Sequence, residues 1–224
     1  MEEAVFRVTA IERQKRNPSR VSVYLDGAFA FGIDDEVLFR HPIHEGDALR
    51  ESFVDEVLLS DERVRAKAKS LRLLGRRALT AAELRDRLED KDFSDRVIRL
   101  VIGDLSAVGL LNDAAFAESF VHDRMMLRPC SKRMLVIELV RKGLAEEEAA
   151  RAVDASYGPK SEAEVAGDLA LKKARSLAGE DPRRARQKTA DFLFRRGFEW
   201  DIASEAVIRA VEGMGAGEEP AVDD

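Results

Sequence analysis

The feature that most constrains this chain is an internal repeat. Thr80–Ile102 laid over Ser131–Val153, an offset of 51 residues, puts Leu84, Leu88, Phe93 and Ile102 on Leu135, Leu139, Leu144 and Val153. A further offset of 54 puts Leu193, Phe198 and Val207 on the last three. Each block has one form: an apolar helical run, a short break, then a second helical run. The breaks read Lys91-Asp92-Phe93, Lys142-Gly143-Leu144 and Arg196-Gly197-Phe198. Runs of helical period at roughly 62–76, 113–127 and 162–177 precede the blocks, which predicts three tandem units of three helices.

Helix-end chemistry supports the same boundaries. Thr80 with Glu83, and Ser161 with Glu164, have capping-box spacing, in which the two side chains satisfy free amides of the first turn. Ser94, Asn112 and Ser131 are candidate N-caps. Gly75, Gly109, Gly143, Gly158 and Gly197 stand where helices should stop in a left-handed residue.

Residues 4–32 carry a different period. Val5, Val8 and Ile11, then Val21, Val23 and Leu25, then Phe29 and Phe31 mark half-buried strands, and Asp26-Gly27 is a strong signal for a type I′ hairpin turn. A small antiparallel sheet of about three strands is expected, packed on Val37, Leu38, Ile43, Leu49 and Phe53 because so small a sheet is marginal alone. The expected fold is mainly α: three tandem three-helix repeats behind a β-rich extension. The expected divisions are 1–54 for the extension, 55–111, 112–160 and 161–212 for the repeats, and 213–224 for a disordered acidic tail.

That tail bears on charge. The 224 residues hold 37 Lys plus Arg against 43 Asp plus Glu, a net charge of −6, but the last thirteen contribute five acids and no base. The remainder is close to neutral, so the partners depend on where the charges cluster. Arg63, Arg65, Lys67, Lys69, Arg72, Arg76 and Arg77 run along the first helix of repeat 1; Arg124, Arg128, Lys132 and Arg133 bracket the first turn of repeat 2; Arg183, Arg184, Arg186, Lys188, Arg195 and Arg196 crowd repeat 3, interrupted only by Asp191. The last cluster is dense enough to meet a phosphate backbone. Phe192, Phe194 and Trp200 flank it; Phe192 and Leu193 are expected to face inward, and aromatics among bases can otherwise stack on single-stranded nucleic acid.

Signals for catalysis are lacking. His41, His44, Glu45 and Asp47 make a poor metal-ligand spacing, no glycine-rich phosphate loop occurs, and no nucleophile has an evident base. Cys130 is the single cysteine, which excludes a disulfide within the chain; at a helix start its thiol could have a lowered pKa, although a structural role is the expectation. No apolar run reaches membrane-spanning length and residues 1–20 are charged throughout, so a cytoplasmic protein without catalytic residues, metal or cofactor is expected.

Three strings carry a family resemblance: Ser70-Leu71-Arg72-Leu73-Leu74-Gly75-Arg76-Arg77-Ala78-Leu79-Thr80-Ala81-Ala82-Glu83-Leu84, Gly109-Leu110-Leu111-Asn112-Asp113-Ala114-Ala115-Phe116-Ala117, and Glu138-Leu139-Val140-Arg141-Lys142-Gly143-Leu144. They resemble the RecX family of recombination regulators, and Val21–Gly32 is similar to the β extension of its longer members. The resemblance spans about residues 5–211 and is loosest in the third repeat. Gly75 in place of a frequent alanine, Pro129-Cys130-Ser131 in place of a glycine-containing turn, and the acidic tail depart from it. The resemblance implies that the three repeats form an elongated, curved array, and that the protein is non-enzymatic and monomeric, binds the RecA recombinase or its filament on DNA, inhibits ATPase, coprotease and strand exchange, and touches single- or double-stranded DNA with modest affinity. Arg76, Arg77, Lys132, Arg133, Arg141, Lys142, Arg195 and Arg196 lie at the turns of the repeats and are the expected contact residues. Two alternatives stay open at this stage: a DNA-binding protein using its three-helix modules as helix-turn-helix units, and a helical-repeat adaptor for proteins alone.

Overall fold

A computed structural model of the chain describes residues 3–215. It divides after Leu111 into two compact units. The first opens with strands β1 (Val5–Arg13), β2 (Arg20–Leu25) and β3 (Ala28–Asp34), continues through a short helix α1 (Asp35–Arg40) and strand β4 (Ala48–Arg50), and ends in helices α2 (Glu51–Leu74), α3 (Ala81–Glu89) and α4 (Asp95–Ala107). All pairings are antiparallel in the order β3-β2-β1-β4. The expected three strands are therefore four. Residues 48–50 pair with Val5–Arg7, and three residues are too few to display a period of two.

The Asp26-Gly27 turn has φ of 50° and 84°, positive at both central positions as a type I′ turn requires. Val21, Val23, Leu25, Phe31 and Ile33 point into the core, but Val5 and Phe29 are exposed. A β-bulge in β3, opposite Val23 and Tyr24, turns Phe29 outward; Val5 faces out by ordinary alternation, three residues from inward Val8, and the bulge between Val8 and Ala10 is what lets Ile11 return to the face of Val8. Phe29 then lies beside outward-facing Tyr24, ring centroids 5.9 Å apart. The sheet closes on Val37, Ile43, Leu49 and Val57, with Leu38 and Phe53 half-buried against them.

Helix α2 begins at Glu51, before the expected boundary at 54/55, and serves both layers: Val57 belongs to the sheet core, Ala66 to the core of the first three-helix repeat. Between them sits Asp61, 3% exposed. Its carboxylate accepts from both terminal nitrogens of Arg20 (3.0 and 3.1 Å), from Arg65 Nε (2.8 Å) and from the Asp34 backbone N–H (2.9 Å). A buried carboxylate is tolerable only when satisfied in this way.

The second unit consists of α5 (Asp113–Leu127), α6 (Lys132–Arg141), α7 (Glu146–Ser156), α8 (Glu162–Arg175), α9 (Pro182–Phe194) and α10 (Trp200–Gly215). One continuous core runs through the second and third repeats, from Ala117, Leu135 and Leu139 to Leu193, Phe198 and Val207. α10 extends to Gly215, past the expected end of the repeat at 212; the rest of the expected tail lies outside the described residues.

The break after the second helix of each repeat is the same structure three times. The N–H of Phe93, Leu144 and Phe198 reaches back to the carbonyl of Leu88, Leu139 and Leu193, each at 3.3 Å, and the N–H of Asp92, Gly143 and Gly197 bonds the carbonyl of Glu89, Val140 and Phe194 at 2.9 Å. This is the Schellman motif, whose left-handed residue has φ of 92° at Gly143, 84° at Gly197 and 57° at Asp92. Asn112, Ser131 and Ser161 cap as expected, Ser161 with Glu164 as a full box, and Thr80 accepts from the Glu83 N–H. Two expectations fail. Gly75 ends α2 in a right-handed conformation, and Ser94 makes no cap hydrogen bond because its hydroxyl donates to Glu62 on α2 at 2.9 Å.

Candidate functional site

Among the described residues no three His, Cys, Asp or Glu side chains come together to hold a metal. His41 stands 4.0 Å from Glu56 and His44 3.6 Å from Asp47, each in a separate contact. Cys130 is buried, and desolvation pushes its thiol up to about 11 despite the nearby Arg124, the reverse of what a helix start alone would do. No helix among the described residues is long and apolar enough to cross a membrane.

The structure sorts the eight expected contact cations into two groups. Arg77 is engaged with Glu83 at 3.0 Å, and Lys132 donates to Asp154 at 2.7 Å beneath the ring of Tyr157. Lys142 lies over Phe116 and Phe120, 5.4 and 5.5 Å from their centroids. Arg196 is the most deeply committed. Its guanidinium donates to the Pro129 carbonyl and stacks 4.5 Å from the Phe192 centroid, while its own carbonyl accepts the Ser131 N–H at 3.0 Å. Burial, with Arg124 and Arg128 nearby, lowers its pKa. These contacts make Arg196 the bolt between the turn before α6 and the turn after α9.

Arg76, Arg133, Arg141 and Arg195 form the second group. All four are exposed, and among the described residues the one ion pair they make within 4 Å is a loose contact of Arg133 with Glu199 at 3.9 Å. Arg141 and Arg195 occupy the same position of repeats 2 and 3, at the C-terminus of the second helix, where a cation also complements the helix dipole. Elsewhere in the basic clusters, Arg63 and Arg65 are held by Asp104 and Asp61, and Lys188 by Glu180, whereas Lys67, Arg72, Arg183, Arg184 and Arg186 stay exposed.

Leu193 is buried and Phe192 half-buried, so both face inward as expected. Phe194 and Trp200 do not. They stack on the surface, centroids 5.7 Å apart and planes 10° from parallel. Their six-residue spacing around Gly197 was the available signal; a left-handed turn reverses the chain and brings the two ends together.

The fold defines a helical-repeat protein: three three-helix units following a small antiparallel sheet in the chain. Family models match in the same order: the regulatory protein RecX N-terminal domain at residues 6–50, and the first, second and third three-helix domains of RecX at 66–105, 112–153 and 161–207. The regulatory protein RecX of Clostridium perfringens (strain 13 / Type A) is 32% identical over 205 residues, 91% of this chain and 95% of the relative. That of Clostridioides difficile (strain 630) is 29% identical over 195 residues, 87% and 91% of the two chains. A crystal structure of regulatory protein RecX superposes with a TM-score of 0.68 at 25% identity, covering 92% of this chain and 99% of that one. The RecX structure from Lactobacillus salivarius gives 0.59 at 26% identity, covering 67% and 97%. The chain belongs to the RecX family of regulatory proteins.

Proposed function

We propose that this protein regulates homologous recombination in the cytoplasm by binding the RecA recombinase or its filament on DNA, as a monomer, and restraining ATPase, strand-exchange and coprotease activity. The observation that carries this reading is the pair Arg141 and Arg195: exposed cations at one repeat-equivalent position, on a unit where Lys132, Lys142 and Arg196 are engaged within the fold and Arg133 makes only a loose contact with Glu199. Repeated cations on a rigid core suit a partner that is itself a repeating, phosphate-bearing assembly. A regulator of this kind changes filament growth only by preferring one state of the filament.

The helix-turn-helix alternative has a specific observation against it. Each third helix opens with acid, Asp95 on α4, Glu146, Glu147 and Glu148 on α7 and Asp201 on α10, where a phosphate backbone would be repelled.

The test is DNA-dependent ATP hydrolysis by RecA on single-stranded DNA, titrated with the full chain and with the double variant Arg141→Glu/Arg195→Glu. The wild type should inhibit, and the variant should need roughly tenfold more protein for the same effect, since reversing two rim charges costs about 1.4 kcal/mol or more. Equal inhibition by a variant with an unchanged melting temperature overturns the assignment. Inhibition complete well below one copy per recombinase indicates blocked filament ends; inhibition rising with occupancy indicates groove filling.

A further inference from the structure

We propose that the exposed Phe194–Trp200 stack is a base-stacking step that takes an unpaired nucleotide of single-stranded nucleic acid, an inference that rests on the protein working on a nucleoprotein. The turn between α9 and α10 already meets the demands of the core through Leu193 and Phe198, both buried on either side of Gly197. The two remaining aromatics contribute little to it. Trp200 is 72% exposed and Phe194 37%, although burying such rings is among the more favourable acts available to a chain. With one face of each ring against the other at 5.7 Å and 10°, the pair presents a flat, preformed continuation for a third ring. Every base has a π-face that fits it, so the contact needs no particular sequence.

The charges around the stack decide between ligands. Arg195 follows Phe194 directly, is exposed, and has no ion pair within 4 Å among the described residues. Arg133 reaches Glu199 at 3.9 Å, and Arg196 is held by the Pro129 carbonyl and Phe192. Glu199 and Asp201 flank Trp200, and both raise the pKa of Glu162 through their charge, after its desolvation. Carboxylates on that side repel a duplex laid flat across the stack. A single strand avoids them by running its phosphates along Arg195 and turning a base onto Trp200. An apolar protein segment would gain from the rings but has no use for the free guanidinium.

Trp200 is the sole tryptophan of the chain, so its fluorescence reports on this site without labelling. The full-length protein would be titrated with an oligothymidylate of about a dozen nucleotides, a length comparable to known single-strand sites, while anisotropy of an end-labelled copy records total binding. We expect Trp200 emission to be quenched in step with the anisotropy, and a duplex of the same length to leave it unquenched. Trp200→Ala should weaken binding about tenfold, and Trp200→Phe by under about threefold, because stacking contributes on that scale. Binding without quenching, equal binding by Trp200→Ala, or no binding of the oligonucleotide each overturns the proposal. Quenching by DNA-free recombinase in place of the oligonucleotide overturns it in favour of a protein contact. Failure to inhibit RecA would refute the regulator reading while leaving an oligonucleotide-dependent quench intact, so the two fail separately.

Discussion

Gly197→Ala should destabilise the second unit far more than an ordinary left-handed glycine substitution does. At φ of 84° any Cβ is strained by about 1 kcal/mol. At Gly197 it would also stand 2.6 Å from Ser131 Oγ, 3.0 Å from Met134 Cβ and 3.3 Å from Met134 Cε. The methionine tip can move, but Met134 Cβ is fixed by α6, and Ser131 Oγ is the cap that accepts the Met134 N–H at 3.0 Å. Displacing that cap costs about 1 kcal/mol more, and overpacking adds about 1 kcal/mol or more. A total of roughly 3 kcal/mol follows, against about 1 kcal/mol for Gly158→Ala, a control with φ of 105° and nothing within 4 Å of the added atom. Equilibrium urea unfolding followed by circular dichroism measures the difference, with Trp200 emission assigning the transition to its unit. At m-values of about 1–3 kcal/mol/M the Gly197→Ala midpoint should fall by about 1 M or more. Equal losses in the two variants would refute the idea that the turn after α9 and the start of α6 are locked together.

The same motif predicts the opposite sign in repeat 1: Asp92→Gly should stabilise the first unit by roughly 0.5–1 kcal/mol, because a residue with a Cβ now occupies the left-handed position, and a loss of stability would sink the argument. Asp61→Asn should cost about 3 kcal/mol or more by leaving the Arg20 guanidinium partly buried without its counter-charge; a loss under about 1 kcal/mol on thermal or urea unfolding would mean the cluster contributes little. Cys130 should resist a thiol reagent at pH 8 until the second unit opens, and prompt labelling of the native chain would contradict its burial. Its folded pKa of about 11 lies above the ordinary value of 9.0, so the stability it contributes is complete below pH 9 and is lost as pH rises toward 11. Cys130→Ala should flatten that part of the alkaline unfolding profile, leaving the later contribution of Tyr157, whose pKa burial also raises.

The repeat was legible because the leucines of its second helices are buried identically: Leu88, Leu139 and Leu193 are wholly inaccessible, as are Leu84 and Leu135. It loosens in the third copy at one identifiable point. Thr189 stands where Leu84 and Leu135 stand, equally buried, and satisfies its hydroxyl on the Ala185 carbonyl at 2.8 Å, so a polar letter there conceals a core position. The sheet was legible in its turn but not in its parity, since a bulge moves every later side chain to the other face without leaving a mark in composition. The cations were the least legible. A string such as Arg195-Arg196 assigns both residues the same charge, yet one is exposed and the other bolts two repeats together. What separates them is the carbonyl of Pro129, 67 residues away along the chain. A charge cluster in a repeat protein thus mixes residues that hold the array together with residues that face a partner, and only the former should reduce stability when reversed. That division makes Arg195→Glu a test of binding and Arg196→Glu a test of the fold.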